Sequence, residues 1–179
     1  MVEISKKDDF VMKKTFSLSV ILVSAAAMLA AGSALAQTKD RSFKDWTVYT
    51  TSLQGKKTCY IGSFPVSKSG NYSKRDEPYF LVTRINSNTS EVSTSSGYPY
   101  KSGSSVRVTI GSKKFSLYTK GELSWAKTKA DDKTVINNMK AGSSMTVRGT
   151  SQKGTYSVDK YSLSGFTAAY KHMEELCGK

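Results

Sequence analysis

Between Ser93 and Lys129 the chain carries seven basic residues, Lys101, Arg107, Lys113, Lys114, Lys120, Lys127 and Lys129, against one acid, Glu122. A one-signed run of this kind acts by attraction: it draws in anionic lipopolysaccharide, glycosaminoglycan or nucleic acid. Of the 27 basic residues in the chain only 5 are Arg. The planar guanidinium is the group that grips phosphate and base edges in a bidentate fork, so sequence-specific nucleic-acid recognition is excluded. What remains is diffuse attraction to an anionic surface, with Lys101, Arg107, Lys113, Lys114 and Lys120 as the candidate contact residues. The plain alternative is a solubility device, with lysines guarding strand edges.

Other chemistry is poorly supplied. The single histidine, His172, stands beside Glu174 and Glu175 without a second imidazole anywhere in the chain, which removes every motif that needs two. No G-x-S-x-G elbow and no phosphate-binding glycine loop is present. Asp131-Asp132 and Asp76-Glu77 are acidic pairs, but a helix N-terminus and a loop account for them. No metal, no cofactor and no catalytic residue is therefore expected, and the chain reads as non-enzymatic.

The elements that must carry the basic residues are mostly strands. In 179 residues with 38% hydrophobic content and a net charge of +13, apolar positions recur with period two. Trp46 and Val48 alternate with polar neighbours, as do Cys59 and Ile61, Val106, Val108 and Ile110, Phe115 and Leu117, Leu123 and Trp125, and Met145 and Val147. Tyr79–Val82 is apolar on both faces, as a central strand is. A last strand spans about 155–163, where Tyr156 and Val158 lie on one parity and Tyr161 and Leu163 on the other; a bulge near Asp159-Lys160 would reconcile them. Gly111-Ser112 fits a two-residue hairpin turn that pairs Val108 with Phe115 and Val106 with Leu117. Ser, Gly and Asn clusters at 68–71, 86–90 and 93–97 read as loops.

Two segments read as helices. One runs from Asp131 to Lys140, acidic at its start and basic at its end. The other begins near Gly165 with Ser164 as its cap, and aligns Phe166, Ala169, Tyr170, Met173 and Cys177 in one stripe. The expected fold is mainly β: an antiparallel sandwich or flattened barrel with a short internal helix and a C-terminal helix.

Residues 1–36 read as a signal peptide. Lys13 and Lys14 precede an uncharged run whose apolar centre is Phe16–Val23, and Ala34-Leu35-Ala36 supplies a cleavage site before Gln37. Met12 is a candidate natural start. Removing residues 1–36 leaves residues 37–179 as a single domain with a net charge of +12. Export places the two cysteines in an oxidising compartment. Cys59 lies on the apolar parity of its strand and Cys177 on the apolar stripe of the last helix, so a Cys59–Cys177 disulfide is expected.

The order of short motifs is itself informative. Trp46-x-Val48, Cys59-Tyr60, Gly97-Tyr98-Pro99-Tyr100-Lys101, Val106-x-Val108-x-Ile110-Gly111, Phe115-x-Leu117-Tyr118-Thr119-x-Gly121, Gly149-Thr150-Ser151 and Tyr161-Ser162-Leu163-x-Gly165-Phe166 follow one another across residues 37–179. In this order and spacing they resemble the invasion-associated locus B family, secreted proteins of alphaproteobacteria. The resemblance implies export, to the periplasm, the outer membrane or the medium, and a contribution to host-cell interaction and invasion. It brings no catalytic residues. The expected partner is an anionic component of a host-cell surface or of the bacterial envelope, with peripheral membrane contact included. A periplasmic enzyme or envelope-maintenance factor is the alternative reading.

Overall fold

In the computed structural model, residues 3–5, 11–13, 37–53 and 55–178 are described. The apolar run of the expected leader and its cleavage site lie outside them. Strands β1 (Glu3–Ser5) and β2 (Val11–Lys13) form a two-stranded antiparallel ladder with Ile4 opposite Met12. The other elements among the described residues are one antiparallel sheet of eleven strands and two helices.

In chain order the sheet contains β3 (Thr38–Phe43), β4 (Trp46–Leu53), β5 (Lys56–Ser63), β6 (Ser67–Gly70), β7 (Tyr79–Asn86), β8 (Thr89–Ser95), β9 (Ser105–Ile110), β10 (Lys113–Lys120), β11 (Leu123–Trp125), β12 (Ser144–Thr150) and β13 (Tyr156–Ser162). Their spatial order is β3-β4-β5-β7-β8-β11-β10-β9-β12-β13-β6. No ladder joins β3 to β6, so the sheet is open. It curls until its halves face each other: Phe80 of β7 meets Tyr161 of β13 with ring centroids 6.0 Å apart, and Trp46 of β4 donates its indole N–H to the Ser162 carbonyl at 3.0 Å. Val48, Ile61, Val82 and Val92 from one half and Val106, Val108, Leu117 and Val147 from the other share one core. The arrangement is a sandwich made by folding one sheet over.

The β9–β10 hairpin has the expected register, Val108 opposite Phe115 and Val106 opposite Leu117. Gly111 adopts φ 56°, the left-handed value that a two-residue turn opening on glycine needs. Helix α1 (Lys129–Ala141) starts two residues earlier than its acidic pair suggests, because the Thr128 hydroxyl accepts from the Asp131 N–H. Asp132 has a further task. Strand β11 pairs with β8 only at Ser93 and Thr94, and Asp132 Oδ1 accepts the Val92 N–H at 2.8 Å beyond that ladder. Helix α2 (Phe166–Cys177) buries Phe166, Ala169, Tyr170 and Met173. A disulfide joins Cys177 to Cys59 on β5, with Cα atoms 5.9 Å apart.

Four expectations need correction. Strand β13 carries no bulge, since its pairing with β12 runs unbroken from Tyr156 to Ser162. The inward parity there is Ser157, Asp159 and Tyr161, all buried, while Tyr156 and Val158 face out. The polar inward residues are what disguised the alternation. Segments 68–71 and 93–97 are largely strand, β6 and the end of β8, rather than loop. Small hydroxyl side chains suit the crowded layer at β8: Thr94 is fully buried and donates to the Tyr79 carbonyl at 2.6 Å. Segment 86–90 is likewise the close of β7 and the start of β8 around a short turn. Finally, α2 is preceded by Gly165 at φ 88° with no side-chain cap. A Cβ there would collide with the Phe43 carbonyl, so close approach rather than Ser164 decides how the helix begins.

Candidate cation-rich sheet face

Residues directly opposite in antiparallel strands share a face, and the register of β10-β9-β12-β13 builds that face row by row. One row runs Ser116, Arg107, Arg148, Val158; the next runs Lys114, Thr109, Thr146, Lys160. Further along, Tyr118 and Lys120 continue the same parity on β10, and Tyr156 does so on β13. Every residue of this set is exposed or half-buried. It holds five cations, Arg107, Lys114, Lys120, Arg148 and Lys160, and no carboxylate on the same parity of the four strands.

Arg107 and Arg148 are directly opposed, an arrangement of like charges that costs stability. The Arg148 guanidinium is held over the Tyr156 ring at 4.4 Å. That contact orients the side chain of an exposed residue. On the far side, Tyr118 stacks on Trp125 with centroids 5.6 Å apart. The face therefore combines five cations, Arg148 among them held on a ring, with two exposed tyrosines, at 43% for Tyr118 and 36% for Tyr156.

Of the expected contact residues, Arg107, Lys114 and Lys120 lie on this face. Lys113 pairs with Ile110 and so falls on the apolar parity, exposed only because it ends the hairpin. Lys101 is exposed in the loop before β9, with its N–H bonded to the Thr150 carbonyl at 3.0 Å. Arg148 and Lys160 were not anticipated. Their signal was present in the alternation of Met145 and Val147, which turns Arg148 outward, but the misread parity of β13 hid Lys160.

A second polar cluster was also missed. Arg75, on the loop before β7, reaches between the sheet halves and meets Asp159 in a bidentate ion pair, with Nη1 2.7 Å from Oδ2 and Nη2 on Oδ1. Its Nη1 also donates to the Ser96 carbonyl at 2.9 Å and its Nη2 to the Tyr72 hydroxyl at 3.1 Å. Burial alone would lower the Arg75 pKa, but the hydrogen bond and charge of Asp159 outweigh it and hold the guanidinium above its usual value. Nearby, burial raises the Tyr161 and Tyr100 phenols well above the ordinary range.

The remaining candidate groups have structural partners. His172 Nε2 lies 2.6 Å from Asp40 Oδ2 and its ring packs on Phe43. Glu77 pairs with Lys68, and Asp131 bonds the Thr128 hydroxyl. Among the described residues no group of three or more His, Cys, Asp or Glu could hold a metal ion. Among them, too, no helix is long and apolar enough to cross a membrane.

The sequence model of the Invasion associated locus B (IalB) protein family matches residues 46–174. No curated protein matches the chain. Among solved structures, the crystal structure of invasion associated protein B from Bartonella henselae is similar, with a TM-score of 0.58 at 15% identity over 78% of this chain and 96% of that one. At that identity the likeness shows a shared fold.

Proposed function

The chain belongs to the invasion associated locus B family, and from that membership we propose a non-enzymatic, exported envelope protein that contributes to host-cell interaction and invasion through its cation-rich sheet face. The observation that carries the reading is the acid-free parity of β10-β9-β12-β13, five cations flanked by two exposed tyrosines. A lysine and arginine surface spread over four strands suits a polymeric or planar polyanion, which meets several charges at once, better than a small ligand. Lys101 and Lys113 flank it and extend the same field.

The test is retention on immobilised heparin. Attraction of this type is screened beyond about 8 Å at physiological ionic strength, so the wild-type chain should elute at a defined, elevated salt concentration. Arg107→Glu/Arg148→Glu should elute much earlier, with the far-ultraviolet circular dichroism unchanged. Elution of both at the same salt would leave the face a solubility device. Retention on vesicles of anionic lipid, in place of heparin, would assign the surface to an envelope rather than a polysaccharide partner.

A further inference from the structure

A 540 Å³ cleft opens between α1, α2 and the turn that joins β7 to β8. Its floor is Arg84 on β7, whose side chain is only 7% exposed. A buried guanidinium is costly unless its charge and N–H groups are matched, and the match here is incomplete. Nη1 reaches Glu174 Oε1 at 3.2 Å and the Ser90 hydroxyl at 3.3 Å, and Nη2 bonds the Ser87 carbonyl. Nε has no hydrogen-bond partner. The single carboxylate, Glu174, is itself 39% exposed.

The wall facing Arg84 adds positive charge. Helix α1 directs Lys129, Lys133 and Lys140 to the same space, at helical spacing along one side. Lys140 is positioned there, its Nζ 3.9 Å above the Tyr170 ring. The Tyr170 hydroxyl in turn meets the Ser90 hydroxyl at 3.1 Å on the floor. The acids of α1 are turned elsewhere: Asp131 to Thr128 and Asp132 to Val92. Four cations and two hydroxyls thus converge from four elements, β7, β8, α1 and α2, on a half-enclosed space that holds one carboxylate.

We infer that this cleft binds a tetrahedral oxyanion, the phosphate or sulfate of a monoester, with Arg84 as the central donor and Glu174 as the carboxylate that yields to it. The Glu174 carboxylate oxygen occupies the place on Arg84 that an anion oxygen takes. Arg84 lines the cleft from the sheet and Lys133 and Lys140 line it from α1, so donors from two elements are available to the several oxygens of a tetrahedral anion. The site is separate from the outer sheet face and stands without it.

Calorimetric titration of the full chain at low ionic strength with inorganic phosphate and with inorganic sulfate tests the assignment. Saturable binding near one equivalent is expected. Glu174→Gln removes the competing charge and should tighten binding at least threefold. Lys133→Gln/Lys140→Gln, both on the helix surface, should weaken it at least tenfold, and Arg107→Glu/Arg148→Glu on the outer face should leave it within twofold. Absence of saturable binding, weaker binding in Glu174→Gln, or loss only in the outer-face variant would overturn the site. Phosphatidylcholine vesicles with and without phosphatidic acid separate the two sources of the group. In the Arg107→Glu/Arg148→Glu background, retention on phosphatidic acid that Lys133→Gln/Lys140→Gln abolishes assigns a lipid headgroup, and binding of the free anions without such retention assigns a soluble ester.

Discussion

The Arg75–Asp159 pair is the most consequential polar contact in the interior, because its side chains are 3% and 1% exposed. Removing one partner leaves the other charged, buried and short of partners. Asp159→Leu strands a guanidinium whose remaining bonds go to the Ser96 carbonyl and the Tyr72 hydroxyl. Arg75→Met strands a carboxylate whose other side-chain donor, the Ser157 hydroxyl, is 3.4 Å away. Each single change should cost about 3–5 kcal/mol, the usual penalty for an uncompensated buried charge. For a domain of this size that corresponds to a fall in Tm of about 6–20 °C, at about 2–4 °C per kcal/mol. The double change Arg75→Met/Asp159→Leu removes both charges and should cost far less than the sum, leaving a coupling of at least about 2 kcal/mol. Urea unfolding of the four proteins, read by fluorescence and circular dichroism together, measures it. Additive single and double effects, or a single change costing under about 1 kcal/mol, would show that the pair is not a buried, mutually dependent contact.

Other outcomes follow from the same geometry. Reducing and alkylating Cys59 and Cys177 opens a cross-link between residues 118 apart; loop-entropy reasoning puts the loss at up to about 5 kcal/mol, visible as a lower thermal midpoint, and equal thiol titration of denatured protein with and without reductant would show that no bond was there. Lys114→Glu should lower the salt needed for elution from heparin more than Lys113→Glu, because only Lys114 shares the parity of Arg107 and Arg148. Burial raises the Asp132 pKa, opposed by the Val92 N–H and reinforced by Asp131. Folding therefore favours its protonated form, so ionisation subtracts stability above the raised pKa and the penalty fades as pH falls through it. Asp132→Asn, which keeps the acceptor for Val92, should gain urea resistance over wild type at pH 7, and the gap should close near pH 3; a gap that widens on acidification would refute this account.

Most of the strand pattern was legible because apolar alternation reports directly which face a strand buries. Val106, Val108 and Ile110 against Phe115 and Leu117 need only one register to share a face, and Gly111 permits the turn that sets it. Alternation fails where the buried parity is polar. Ser157 and Asp159 on β13, and Ser93, Thr94 and Ser95 on β8, look like loop or outward positions because their partners are remote in sequence. Asp159 is buried only because Arg75, 84 residues earlier, reaches it. The same limit explains the cap of α2: nothing near Gly165 reveals that the Phe43 carbonyl will lie against it.

The candidate contact face shows how far such reading extends to function. Charge clustering in sequence located Arg107, Lys114 and Lys120, since one hairpin carries all three. It also drew in Lys113, because nearness along a chain says nothing about parity. Arg148 and Lys160 join the face only through the pairing of β9 with β12 and of β12 with β13. Net charge alone would make the whole molecule attractive to a polyanion. What the pairing adds is direction: the cations of four strands point one way, so a planar or polymeric polyanion can engage five at once, and scattering the same lysines over the surface would keep the attraction but lose that simultaneous contact. Moving one cation from this face to another surface position, at constant net charge, should therefore reduce heparin retention; unchanged retention would mean that total charge, not its placement on this sheet, governs binding.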